Sequence, residues 1–337
     1  MLVKSFLENY FRILCIVILF LFFSYLVILP ANAEIRIAWQ QNIDVAKLAQ
    51  TNDVFRKITG DRINWLEYDD EFKMIHDLSI EKIDFAPVNM ITLMSAVTAG
   101  VQVRIIAVDY QDGSESGLLV QKRNHIDQIS FLKGKKIGVP FLSNAHYSLL
   151  EVLKNYNINL DQVQLINMTP REIEEAWKKN QLDAAFVEGM SFINLKKTGV
   201  ILVTSKELAD KGNPTYVFWI SMDNTVADKP QMVQSFVDAI LKNQQRFKLH
   251  QSDFVANSKV IKATASFLKA SPTDILTILN GQEYLSQKSQ YLLINRILPS
   301  YLDKVGLFLR NYNVINNVLP DYLIYIYPTF INEAQKN

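Results

Sequence analysis

The feature that most constrains the fold lies in residues 35–108, where short apolar runs alternate with longer stretches of helical period. Ile35-Arg36-Ile37-Ala38-Trp39 has the period of two expected for a strand, and Val45, Leu48, Ala49 and Phe55 follow at helical spacing up to Gly60. Arg62 to Tyr68 reads as a second strand and passes through Asp69-Asp70 into a helix holding Phe72, Ile75, Leu78 and Ile80. Ile83 to Pro87 is a third strand, turning at Val88-Asn89 into a helix from Met90 to Ala99, and Val103 to Val108 is a fourth. Strands separated by helical stretches of about ten to fifteen residues form βαβ units, hence a mostly parallel sheet with helices on its faces. In such sheets ligands bind at the carboxyl ends of the strands.

A polar break, Asp109 to Ser116, precedes a mixed apolar segment, Gly117 to Val120, and the charged Gln121-Lys122-Arg123-Asn124-His125. We place a first domain crossing here. The α/β pattern then repeats in smaller form over residues 126–215. It holds a helix near 127–132, the strand-turn-helix Gly138 to Leu150, strands at Val163 to Met168, Leu182 to Val187 and Val200 to Thr204, and a helix opened by the capping box Thr169-Pro170-Arg171-Glu172. Tyr216 to Ser221 reads as the return crossing, and from Pro230 onward the chain has helical periodicity almost throughout. The expected division is a signal segment (1–33), a first lobe made of 34–120 with 217–337, and a second lobe of 121–216. Two lobes joined by two crossings favour a ligand cleft with hinge closure.

The N-terminus starts positive, with Lys4 and Arg12, runs through apolar residues from Ile13 to Leu29, and ends Pro30-Ala31-Asn32-Ala33. This is the pattern of a secretory signal peptide cleaved after Ala33. An uncleaved anchor is the rival reading, against which stand the helix-breaking Pro30 and the small residues behind it. Cleavage removes the sole cysteine, Cys15, and with it any disulfide, thiolate nucleophile or cysteine metal ligand. From 35 basic and 34 acidic residues it removes Lys4, Arg12 and Glu8, so the mature charges balance. Without long basic runs, that balance argues against nucleic acid or an anionic membrane surface as partner.

The chemistry expected is binding without catalysis. The four histidines (His76, His125, His146 and His250) have no metal-ligand spacing, and neither a G-x-S-x-G elbow nor a phosphate-binding glycine loop occurs. No cofactor and no metal are expected, and Asp69-Asp70 reads as a solvated helix cap. The candidate site residues are the polar turns at strand ends: Gln40-Gln41, Val88-Asn89, Ser114-Glu115-Ser116, Ser143-Asn144, Glu188 and the region of Tyr216. In the βαβ reading they fall on one rim. Of these, Ser143 or Asn144 can cap a helix whose first N–H groups and dipole suit an anion, although every α/β protein has several ordinary capped turns of this kind.

The run Val139-Pro140-Phe141-Leu142-Ser143-Asn144-Ala145-His146-Tyr147-Ser148-Leu149-Leu150 resembles the corresponding stretch of periplasmic taurine-binding proteins, which serve ABC importers of the nitrate, sulfonate and taurine group. Ala38 to Gln50, Ala176 to Val187 and Asn213 to Trp219 resemble the family in order and at matching spacing, so the resemblance spans roughly residues 34–320. It implies an α/β, two-lobed type II periplasmic binding protein, each lobe a mostly parallel sheet flanked by helices, with extra C-terminal helices. It also implies a monomer in the periplasm that closes on a small sulfonate or amino-sulfonate and delivers it to an ABC permease in the inner membrane. In the family, strand-end hydroxyls and N–H groups hold the sulfonate and a carboxylate holds the amine of taurine; Gln40, Ser143, Asn144 and His146 match cleft positions. Three departures stand out: Val88-Asn89-Met90-Ile91 replaces a small serine-containing turn, Glu188 replaces an aromatic residue, and Val217 replaces an acidic one. One carboxylate is lost at 217 and another gained at 188, which points to Glu188 as the partner of a ligand cation, the ordinary alternative being a surface glutamate or an internal ion pair. Nitrate and pyrimidine-precursor receptors, and a pyrimidine-precursor synthase of the same fold, are the competing readings; the synthases use a cysteine-rich motif.

Overall fold

The computed structural model describes residues 34–333; the leader expected over 1–33 lies outside them. The chain begins β1 (Glu34–Trp39), α1 (Val45–Thr51), α2 (Val54–Thr59), β2 (Arg62–Glu67), α3 (Glu71–Ser79), β3 (Ala86–Asn89), α4 (Met90–Thr98) and β4 (Val103–Gln111). The single helix expected before Gly60 is broken at Asp53, whose φ of 61° is left-handed, while Gly60 (φ 77°) ends the second piece as expected. A second series follows: β5 (Ser116–Gln121), β6 (Lys136–Val139), α5 (Asn144–Asn155), β7 (Gln164–Asn167), α6 (Pro170–Lys178), β8 (Ala184–Glu188), α7 (Gly189–Lys196), β9 (Gly199–Thr204) and α8 (Ser205–Asp210). The helix expected near 127–132 is only a 3-10 turn, Ile129–Leu132. After β10 (Tyr216–Met222) come α9 (Asp223–Asp228), α10 (Pro230–Leu249), α11 (Lys259–Leu268), α12 (Pro272–Gly281), α13 (Gln287–Leu292), α14 (Leu298–Asn311) and α15 (Thr329–Glu333).

The strands are ordered β1-β2, β3-β10-β4 and β7-β6-β8-β5-β9. β1 meets Phe85, the residue just before β3, through a parallel bridge from Ile37. The sheets are mixed where mostly parallel ones were expected. β10 runs antiparallel to β3 and β4, and β5 antiparallel to β8 and β9, whereas β6 is parallel to β7 and β8. The physical reason is the connection. β5 arrives directly from β4 through residues 112–115, and β10 through residues 213–215, without the crossover that a parallel neighbour in the same sheet requires. The change of sheet therefore falls before Ser116, and Tyr216 to Ser221 is itself a sheet strand between β3 and β4.

Each series closes on its own apolar core. Phe236 of α10 stacks on Phe85 with ring centroids 3.9 Å apart, and Trp219 meets Phe236 edge-on at 5.1 Å. Under the second series lie Leu118, Ile137, Leu149 and Phe186. The C-terminal helices cover α1, Ile261, Ile275 and Leu279 packing with Val45 and Leu48. Among the described residues no helix is long and apolar enough to cross a membrane.

Candidate functional site

Five helices, α3 to α7, begin beside one open cleft of about 910 Å³, and their N-caps decide how it is equipped. Asp70 caps α3, its carboxylate accepting the Lys73 N–H at 2.7 Å, as the sequence reading of Asp69-Asp70 expects. Asn89 caps α4, its Oδ1 accepting from Ile91 and Thr92 N–H groups at 3.0 and 2.9 Å. Ser143 caps α5 by accepting the His146 N–H at 3.2 Å while donating to Pro140 O at 2.6 Å. The N–H groups of Asn144 and Ala145, which head α5, have no acceptor within the helix. Glu188 occupies the N-cap position of α7 but makes no side-chain cap. The turn into α5 is set by Leu142, whose φ of 59° is left-handed and uncommon for a branched residue. Its carbonyl accepts from Thr92 Oγ1 at 3.2 Å, a bond that joins the α4 wall to the α5 wall.

Of the residues expected at the site, Gln40, Asn89, Glu115, Ser143 and Glu188 line this cleft. The other four are not among its lining residues and are buried in the protein. Asn144 is 2% exposed, and its Nδ2 donates to Asp112 Oδ2 at 2.8 Å and to Tyr216 O at 3.0 Å. Tyr216 is buried with its ring against Phe218 and Tyr301. Ser116 is buried and accepts from Ser205 Oγ at 2.9 Å. His146 stacks on Phe141 with centroids 4.4 Å apart, and its Nδ1 faces the Leu142 N–H at 3.4 Å. Burial pushes its pKa down to about 4, so it is neutral at neutral pH.

The sequence reading missed Glu71, Tyr110 and Asp112. Asp112, 2% exposed, accepts from Thr215 Oγ1 at 2.6 Å as well as from Asn144, and its N–H donates to Thr215 O at 3.0 Å. One carboxylate thus ties both connections between the sheets to the start of α5. Glu71 accepts from the Asn89 N–H at 3.2 Å and from its side-chain amide, which in turn donates to Thr92 Oγ1 at 2.7 Å. Both oxygens of the buried Glu115 face the Gly113 N–H, at 3.2 and 3.1 Å.

The lining is strongly acidic. Glu67, Asp69, Asp70, Glu71, Asp112, Glu115 and Glu188 contribute carboxyls, against Lys73 as the one basic lining residue. Crowding such groups in a desolvated space disfavours their ionised forms. Burial, opposed by bonds from Thr92 and Asn89, pushes Glu71 up to about 7. Burial outweighs the Thr215 and Asn144 bonds at Asp112, which rises to about 6. Burial and the Asp112 charge hold Glu115 well above the usual carboxylate range. Glu188 stays accessible to water in the cleft, but enclosure by the walls, then Asp112 and Glu71, push it up to about 8. Such a cleft offers helix-start N–H groups to an anion, and carboxylates to a cation. Among the described residues no group of His, Cys, Asp or Glu has the arrangement to hold a metal ion.

The comparisons with known proteins agree with this architecture. The chain is 25% identical over 298 residues to the taurine-binding periplasmic protein of Escherichia coli (strain K12), covering 88% of this chain and 92% of that one. Its fold matches the periplasmic aliphatic sulphonate binding protein SsuA from Escherichia coli with a TM-score of 0.74 at 16% identity, over 89% of this chain and 99% of the other. A desulfurization enzyme, DszB, shares the fold at a TM-score of 0.65 and 14% identity, over 90% and 99%. The fold is thus that of the periplasmic binding proteins, and it also carries an enzyme. The NMT1/THI5 like family matches residues 59–253, more than half of the chain, and the chain belongs to that family.

Proposed function

We propose that the protein is the exported solute-binding component of an ABC import system, taking taurine or a related small amino-sulfonate into the cleft and delivering it to an inner-membrane permease. In this reading it works as a monomer in the periplasm, its leader cleaved after Ala33, and it performs no catalysis. The two lobes hinge where residues 112–115 and 213–215 connect the sheets, which moves residues 116–120 from the first lobe expected from the sequence to the second. The observation that carries the reading is that Ser143 and Ala145, at the start of α5, line one cleft with Glu188, a carboxylate without a hydrogen-bond partner among the described residues. A sulfonate suits the former and an ammonium the latter. The names of the relatives support the same solute class. Against the enzyme reading stands the sole cysteine, Cys15, which lies in the leader and leaves the cleft without a thiol nucleophile.

A micromolar ligand requires about 8 kcal/mol. Hydrogen bonds to charged groups contribute roughly 1.5 to 3 kcal/mol each, so a few N–H and hydroxyl donors with one ion pair suffice. The test is a thermal-shift titration of the purified protein with taurine, alkanesulfonates, nitrate and aminopyrimidines. Taurine at about a hundred times its Kd should stabilise the protein by about 2.7 kcal/mol. Stabilisation by nitrate or an aminopyrimidine in place of the sulfonates contradicts the assignment.

A further inference from the structure

Two polar side chains in the cleft have no work in the fold. Tyr110, near the end of β4, lines the cleft and is 6% exposed, yet its hydroxyl has no hydrogen-bond partner among the described residues. Its ring rests on Tyr284, centroids 6.4 Å apart, which holds it in place. Glu188, at the tip of β8, has neither hydrogen bond nor ion pair among the described residues. A third group, Glu71 at the start of α3, comes from the other series of strands and is oriented by Asn89. The three are electrostatically joined: the Glu71 charge acts on Glu188, and the Glu188 charge on the Tyr110 hydroxyl. The remaining charged lining groups are Glu67, Asp69, Asp70 and Lys73 beside α3, with Asp112 and Glu115 in the connection between sheets. None but Lys73 is a cation, and Lys73 is exposed.

A primary ammonium presents three N–H donors and no acceptor. From the cleft geometry we infer that Glu188, Glu71 and the Tyr110 hydroxyl oxygen form a seat for a primary ammonium group of the solute, one acceptor for each donor. The inference rests on the amino-sulfonate reading and deepens it, adding Tyr110 and Glu71 as specificity-determining residues. Because Glu71 and Glu188 stand on elements of different strand series, the cation that neutralises both also draws the two walls together. The cleft then selects for the amine and not only for the sulfonate.

Calorimetric titration of the purified protein with taurine and with isethionate, which carries a hydroxyl where taurine carries the ammonium, separates the two recognitions. Ethylenediamine, an ammonium without a sulfonate, is the third probe. Wild type should prefer taurine. Tyr110→Phe should weaken taurine about tenfold, and Glu71→Gln and Glu188→Gln about ten- to hundredfold, with isethionate held within about twofold. Equal losses for taurine and isethionate overturn the seat. Binding of neither overturns the amino-sulfonate reading, and the seat is then decided by ethylenediamine. Tighter binding to wild type than to Tyr110→Phe supports it, and no binding overturns it. The Phe variant keeps the ring and its contact with Tyr284, so a folded protein is expected in that arm.

Discussion

Asp112→Asn isolates the electrostatic cost built into the connection between the sheets. The side chain is 2% exposed, so the shift in its pKa is a property of the folded state. Its carboxyl rises from the ordinary value of 3.8 to about 6, because burial outweighs the Thr215 and Asn144 bonds. Between those values the native protein holds a proton that the unfolded chain has released. Stability associated with Asp112 is therefore present at low pH and lost as pH rises through about 6. Full ionisation costs about 3 kcal/mol, of which about 1.5 kcal/mol accrues between about pH 5 and pH 8. Asparagine does not titrate, and its Oδ1 can accept from both Thr215 and Asn144. Glu115 and Glu188 are themselves raised in part by Asp112, so removing its charge relieves them in the same direction. Urea unfolding of both proteins at the two pH values measures the effect. The stability difference should move by about 1.5 kcal/mol in favour of the variant on going to the higher pH. An identical difference at both refutes the claim that Asp112 is ionised at a cost.

The other predictions concern the cap, the packing of the connection and the titration of the cleft. Ser143→Ala removes the α5 cap and should cost about 1 kcal/mol in unfolding experiments; it should also weaken taurine and isethionate alike, and unchanged affinities would remove Ser143 from the site. Gly281→Ala would place a Cβ 2.7 Å from the Glu115 Cβ and 2.9 Å from its amide nitrogen. Such overpacking should cost about 1 to 3 kcal/mol, and an unchanged Tm would show that the connection gives way freely. Taurine affinity should fall on acidification from about pH 8 to pH 6, because Glu188 (about 8) and Glu71 (about 7) take up protons that an ammonium must displace. The facing groups Glu67, Asp69, Asp70, Lys73, Tyr110, Asp112 and Glu115 modulate the midpoint. Isethionate should not share the fall, and parallel profiles would show that the carboxyls do not meet the amine.

What was legible in the sequence is what depends on near neighbours along the chain. The strands and helices of residues 35–108 follow from local periodicity, and the caps at Ser143, Asn89 and Thr169 are bonds between residues two or three apart. The direction of β5 and β10 was not legible, since their partners lie far away: Gly117 opposite Val187 and Trp219 opposite Pro87. The site divides in the same way. Polar turns at strand ends located the cleft, yet nothing local says which of two adjacent polar residues points into it. Thus Ser143 lines the cleft while Asn144 ties Asp112 to Tyr216 O behind it. Tyr110 and Glu71 read as the end of a strand and the start of a helix. Only the folded chain brings them to Glu188.

The central claim is that one cleft holds an oxyanion at the start of α5 and an ammonium near Glu188. The most direct measurement is a crystal structure of the protein with taurine, with the ligand sulfur located by anomalous scattering. The account expects the sulfur peak beside Ser143 and the N–H groups of Asn144 and Ala145, with the ligand nitrogen within hydrogen-bond distance of Glu188. A sulfur peak on the carboxylate side, or taurine bound outside this cleft, would contradict it.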